Sequence, residues 1–513
     1  MHDGKASLVR NWQHSDGGCG GIRHRGPDRK SRTKARVLPT NEGACSSSLN
    51  IKSCQAMRLI SLFALCAVTA CMPAQQAQVT KNYPADTSIG AALPAMQGFA
   101  AVRGNTPQRS NGEIAQDFLD LEFRMESGRA LASMTRFEGP VTIVFSGDVP
   151  ATANAEFAKL VTRFRNEAGI DIRSARPGEQ ASITIEFQPR AQLQRVVPSA
   201  ACFVVPGVRS FAEYKTKRNT SDVDWSSLTQ RTRAAIFVPS DTSPQEVRDC
   251  LNEELAQAMG PLNDLYRLPD SVFNDDNFNS VLTGFDMLVL RLHYAPELRN
   301  GMNEAEVAKR LPGLLARLNP AGESFSGAPK RLSPRIWISA VETAFGPGGS
   351  QASRSAGAQR MLSVATAQGW NDGRLAFSYY AVGRTNVSLD PKAAVDAFLV
   401  AGRIYRSMPD GAIHAAHVDM QLAAIALAAG QNEQVLGFAD RAIPVVKRAE
   451  NAALLATLML IKAEALDNLG QTADAQALRL DSLGWARYGF GSEYQVRARM
   501  SEIATLGAQG LRG

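Results

Sequence analysis

Every run of β-branched and aromatic residues long enough to make a strand falls between residues 140 and 238, and beyond Gly301 such runs stop. That distribution restricts the chain to a fold in two parts, strands mixed with helices first and helices alone afterwards. Pro140 to Phe145 (PVTIVF) and residues 170–174, 181–187, 202–205 and 234–238 predict strands. Residues 111–126 and 151–167 predict helices, the first with Ile114, Phe118, Leu121 and Met125 on one face and the second with Phe157, Leu160, Val161 and Phe164. A further helix opens at Ser243-Pro244-Gln245-Glu246, which supplies an N-cap serine, a proline at the first helical position and a glutamate at the third. Gly260 ends it.

The first domain is therefore predicted over 111–302, a mixed sheet with one long helix laid against it. A helix and a Pro/Gly/Ser linker follow over 303–332, then an all-α domain over 333–513. Within that last part, Ala423–Gly430 followed by Gln431-Asn432 resembles Ala463–Gly470 followed by Gln471-Thr472. The spacing predicts stacked helical hairpins, loosely similar to tetratricopeptide repeats.

The formal net charge of +7 invites a nucleic-acid partner until it is located. Residues 1–56 hold ten Lys and Arg against four acids, a net of +6, which leaves +1 for all that follows. That segment is rich in Gly, Ser and Arg, has no apolar periodicity, and reads as translated sequence upstream of the real start. No nucleic-acid partner is expected.

From Met57 the chain runs MRLISLFALCAVTAC: a basic residue, about a dozen apolar ones, and a lipobox ending in Cys71. A permanent span needs roughly 20 apolar residues, so 57–70 is predicted as a lipoprotein signal peptide and 71–110 as a tether whose Cys71 is lipidated. This places the protein in the envelope, facing the periplasm, the outer membrane favoured over the inner by Met72 in place of Asp. Of seven cysteines only Cys202 and Cys250 follow the anchor. An even pair in an oxidising compartment predicts a disulfide, two buried thiols being the alternative.

The helix from Ser243 carries Glu253-Glu254-Leu255-Ala256-Gln257-Ala258-Met259-Gly260-Pro261-Leu262-Asn263. Its pattern resembles the zincin motif HExxHxxGxxH. Glu254 stands where the general base belongs and Gly260 at the turn, but Glu253, Gln257 and Asn263 occupy the ligand positions. Zinc is held by imidazole and thiolate, and amide oxygens are poor ligands for it. The histidines downstream of the anchor are His293, His414 and His417, none of them on this helix. No catalytic metal and no cofactor are expected. Asp264, Asp275 and Asp276 form a possible polar site, or simply turn residues.

The element order strand–helix–strand–strand–strand–helix and the segment from Leu282-Thr283 to Tyr294 also resemble a zincin of the metzincin type. Residues 110–128, 135–141, 253–264, 270–276 and 282–302 are similar in wording to an uncharacterised proteobacterial lipoprotein family, the domain of unknown function 2927. That resemblance implies a lipoprotein setting and no established activity. The expectation is an α+β zincin-like domain that has lost its zinc ligands, followed by the helical repeat. Together they would form a non-catalytic envelope protein binding a periplasmic protein or cell-wall partner. The alternative is an atypical hydrolase of peptide or cell-wall substrates with Glu254 as general base.

Overall fold

The computed structural model describes residues 93–100 and 104–510, so the predicted leader, signal peptide and Cys71 lie outside the described residues. Strands β1 (Val141–Gly147), β2 (Ile172–Ser174), β3 (Ile183–Gln188), β4 (Phe203–Pro206) and β5 (Ala234–Pro239) form one sheet in the order β2-β1-β3-β5-β4. All neighbours are parallel except β4, which runs antiparallel to β5 at one edge. β5 is buried along its whole length, as its unbroken apolar sequence requires of an inner strand covered on both faces.

Helices α1 (Asn111–Glu122), α2 (Ala153–Arg163), the short α3 (Arg190–Gln194) and α4 (Phe211–Lys217), then α5 (Pro244–Met259) and α6 (Gly284–His293) surround this sheet. The Ser243 hydroxyl accepts from the Glu246 N–H, the cap that the sequence announces for α5. Helices α7 (Glu304–Ala308) and α8 (Leu311–Leu318) belong to the same body. Val307, Leu311, Leu314 and Leu315 lie in the core that also holds Ile114, Phe118, Ile185 and Leu255. The α/β part therefore reaches past residue 302 to the end of α8, because the apolar side of α8 covers α1.

Nine helices complete the described chain: α9 (Arg335–Phe345), α10 (Gln351–Ala367), α11 (Gly373–Asn386), α12 (Pro391–Ser407), α13 (Ala412–Ala428), α14 (Asn432–Arg448), α15 (Ala452–Asn468), α16 (Thr472–Phe490) and α17 (Glu493–Gly510). Each packs on its sequence neighbours, as stacked hairpins do. The two Gly-Gln units are the same helix stop used twice. Gly430 and Gly470 take φ of 72° and 78°, and Gln431 and Gln471 then donate their N–H to Ala426 and Leu466. This is the six-to-one bond that closes a helix on a left-handed glycine. No helix among the described residues is long and apolar enough to cross a membrane.

The α/β part lends two rings to the core of the helical part. Tyr266 packs edge-on to Trp337 at 5.0 Å, and Phe278 meets Tyr380 and Tyr405 at 5.4 and 6.1 Å. These rings, from the loop after α5, are counted among the buried side chains of the helical part.

Candidate functional site

Every residue of α5 from Val247 to Met259 is buried, since the helix lies between the sheet and the α14–α15 corner of the helical part. Gln245 Nε2 donates to Asn451 Oδ1 at 3.1 Å, and Arg248 Nη1 to the Glu450 carbonyl at 2.7 Å. The C-terminal end of α5 is closed by Arg231, whose Nη1 donates to the carbonyls of Gln257 and Ala258 at 3.0 and 2.9 Å.

Glu254, only 1% exposed, belongs to a group of carboxyls that also contains Asp264, Asp275 and Glu126. Gln257 Nε2 donates to Asp264 Oδ2 at 3.4 Å, and Tyr266 Oη to Asp275 Oδ2 at 3.1 Å. Burial pushes the Glu126 carboxyl well above the usual range; Asp264 and Asp275 add to this by repulsion, Asp264 through a hydrogen bond, and Glu254 more weakly. Burial, then Asp275, likewise raises the Tyr266 phenol. A carboxyl raised by burial and by neighbouring carboxyls is the kind of group that acid–base work requires.

The structure brings Glu254, Gln257, Asp264 and Asp275 together and sends the other candidates elsewhere. Glu253, also buried, points about 100° away around α5. Asn263 Nδ2 donates to the Asp120 carbonyl at 2.8 Å and so pins the turn after α5 to α1. Asp276 faces the helical part, where its Oδ2 lies 3.1 Å from His414 Nε2. Glu126 has no signal in the sequence that ties it to α5; it follows α1, which the turn after α5 is pinned against.

The ligand set of a zincin does not fit a metal here. Of the three positions, Asn263 and Gln257 spend their amides on Asp120 and Asp264, and the histidine nearest this turn is held apart. His293 is fully buried, its Nδ1 lies 2.8 Å from Glu122 Oε2, and burial lowers its pKa. Its ring instead packs on Gly260, where a Cβ would lie 3.9 Å from His293 Cγ and 3.0 Å from Leu290.

Beside these carboxyls lies a cleft of about 570 Å³ whose floor is the edge strand β4, Phe203 to Pro206. Its walls are Met125 and Arg129 on one side and the Arg218–Trp225 segment on the other, with an Arg129–Asp224 ion pair between them. Met125, Trp225 and Leu262 form a small apolar cluster, so the cleft and the carboxyls share the chain segments 125–126 and 262–264. The Cys202–Cys250 disulfide clips the start of β4 to α5.

Geometry and topology thus define an α/β domain with a cleft along its antiparallel edge strand and a carboxyl group cluster beside it. Residues 111–313, which end within α8, match the model of a family described as a protein of unknown function (DUF2927). No curated protein and no solved structure matches the chain.

Proposed function

We propose that this chain is a lipid-anchored envelope protein that binds an extended peptide segment of a periplasmic protein or cell-wall partner without cleaving it. The observation that carries the reading is β4: an edge strand opening on a cleft with apolar walls at Met125 and Trp225. An edge strand presents unpaired main-chain donors and acceptors at a two-residue repeat, and apolar hollows beside it accept alternate side chains of an added strand. The order β1, α2, β2, β3, β4, β5, α5, interrupted by the short α3 and α4 on either side of β4, supports a zincin-like origin, as does Glu254 on α5 with Gly260 after it. The side chains at the ligand positions, two of them committed to neighbouring groups, support the loss of metal chemistry. The lipobox ending at Cys71 supports the anchor, with the outer membrane the favoured site.

A second reading is favoured by one observation, the Glu126 carboxyl, raised by burial and hydrogen-bonded to Asp264 beside Glu254. In it the domain is an atypical hydrolase with Glu254 as general base. One experiment separates the two. The chain from residue 72 onward, purified without a His tag, is exposed to a library of extended peptides and the bound fraction is identified by mass spectrometry. Intact peptides whose capture falls about tenfold in Val204→Pro and Trp225→Ala are expected. Cleaved peptides, with cleavage abolished by Glu254→Gln, would replace binding by hydrolysis.

A further inference from the structure

Residues 93–99 (LPAMQGF) run extended over α16 and are held there chiefly through their main chain. Arg487 Nη1 donates to the carbonyls of Leu93 and Pro94 at 3.3 and 2.5 Å, and Lys159 Nζ to that of Phe99 at 3.1 Å. The Gln97 N–H donates to the Gly484 carbonyl at 3.0 Å. Gly484 is required for this approach, since a Cβ there would sit 2.6 Å from Gln97 Cγ. Leu93 packs on the helical core and Gln97 Nε2 donates to Asp481 Oδ1 at 3.4 Å, but only one ring is enclosed by aromatic neighbours. The Phe99 ring stacks on Trp485 at 4.8 Å, stands edge-on to Tyr488 at 6.4 Å, and has the Arg248 guanidinium 6.0 Å from its centre. The segment's Pro94, Ala95, Met96 and Gly98 stay exposed.

Main-chain clamps plus a single aromatic slot are the recognition chemistry of a linear-peptide groove, tolerant of sequence except at the anchor. A mere packing interface would bury most of the strap's side chains, and this one buries few. We propose that the groove of Trp485, Tyr488, Arg487, Arg248 and Lys159 is a docking site for an extended partner segment bearing an aromatic residue. Residues 93–99 occupy it in cis and keep it closed. The strap joins the body a few residues later at Gly104, whose N–H donates to Glu167 Oε2, so its effective concentration at the groove is on the order of millimolar, and a partner of ordinary affinity gains entry only when the strap is loosened. This site is separate from the β4 cleft and does not rest on that reading.

The test uses a fluorescein-labelled peptide with the sequence of residues 91–101 and the chain from residue 72 onward, followed by fluorescence anisotropy. The Phe99→Ala chain is expected to bind the peptide at least about tenfold more tightly than the wild-type chain, because its own strap no longer competes. The same peptide carrying Phe99→Ala is expected to bind neither chain, a control that needs no further protein variant. Equal binding by the two chains, or equal binding of the two peptides, overturns the proposal.

Discussion

Replacing His417 by leucine should flatten the acid limb of the stability curve. His417 lies on α13 with its ring 4.6 Å from Phe278, at the seam between the two parts, and its Nε2 is shut off from water. Burial, followed by the fields of His414 and Arg384, lowers its pKa from 6.5 to about 3. The unfolded chain therefore binds a proton between those values that the folded chain refuses. Stability tied to this ring is complete above pH 6.5 and is lost as the pH falls toward 3. At pH 5 the gap between medium and unfolded pKa is about 1.5 units, which converts to about 2 kcal/mol; at pH 7 the cost is close to zero. Denaturant unfolding of wild type and His417→Leu, followed by tryptophan fluorescence at pH 7 and pH 5 at one ionic strength, measures it. At pH 7 the variant reports packing alone. On going to pH 5 the difference should move by about 2 kcal/mol in favour of leucine. A difference that stays the same at both pH values would refute the argument that the ring is held neutral by burial.

Two other predictions concern the frame of the candidate site. The Cys202–Cys250 bridge spans a separation of 48 residues; Cys202→Ala with Cys250→Ala should lower stability by about 4 kcal/mol through the freed unfolded chain, and an unmoved denaturant midpoint would contradict it. Asp286, fully buried, accepts from Ser271 Oγ at 2.5 Å and from the N–H groups of Val272 and Thr283 at 3.1 and 2.7 Å. Asp286→Ala should cost about 3 kcal/mol by stranding those donors, with hydrogen exchange accelerated over residues 271–286, and Asp286→Asn should recover part of the loss.

Local signals carried far along this chain. Ser243 and Pro244 announced α5, the apolar runs announced the strands, and the Gly-Gln pairs announced two helix stops that use the same hydrogen bond. What escaped reading depends on tertiary approach. Glu126 joins Glu254 and Asp264 only because α1 and the turn after α5 lie against each other, a contact between segments far apart in sequence. The run Asn274-Asp275-Asp276 looks like a single acidic patch, yet Asp275 turns to Tyr266 while Asp276 turns to His414, since neighbours in a turn face different ways. Residues 93–99, expected as part of a free tether, lack any periodicity, and most of what holds them comes at the far end of the chain, on α16. The boundary expected at residue 302 came too early because α7 and α8 resemble linker helices until their apolar side is seen against α1.

Tyr266 and Phe278 fall inside the stretch that matches the family model, yet their rings are set among the side chains of the helical half. A chain ending after α8 would carry both rings on its surface, where they invite aggregation or another partner. These two positions are therefore a register of inheritance: family members without the helical half should hold polar residues there, and those that keep aromatic rings should have something else folded over them.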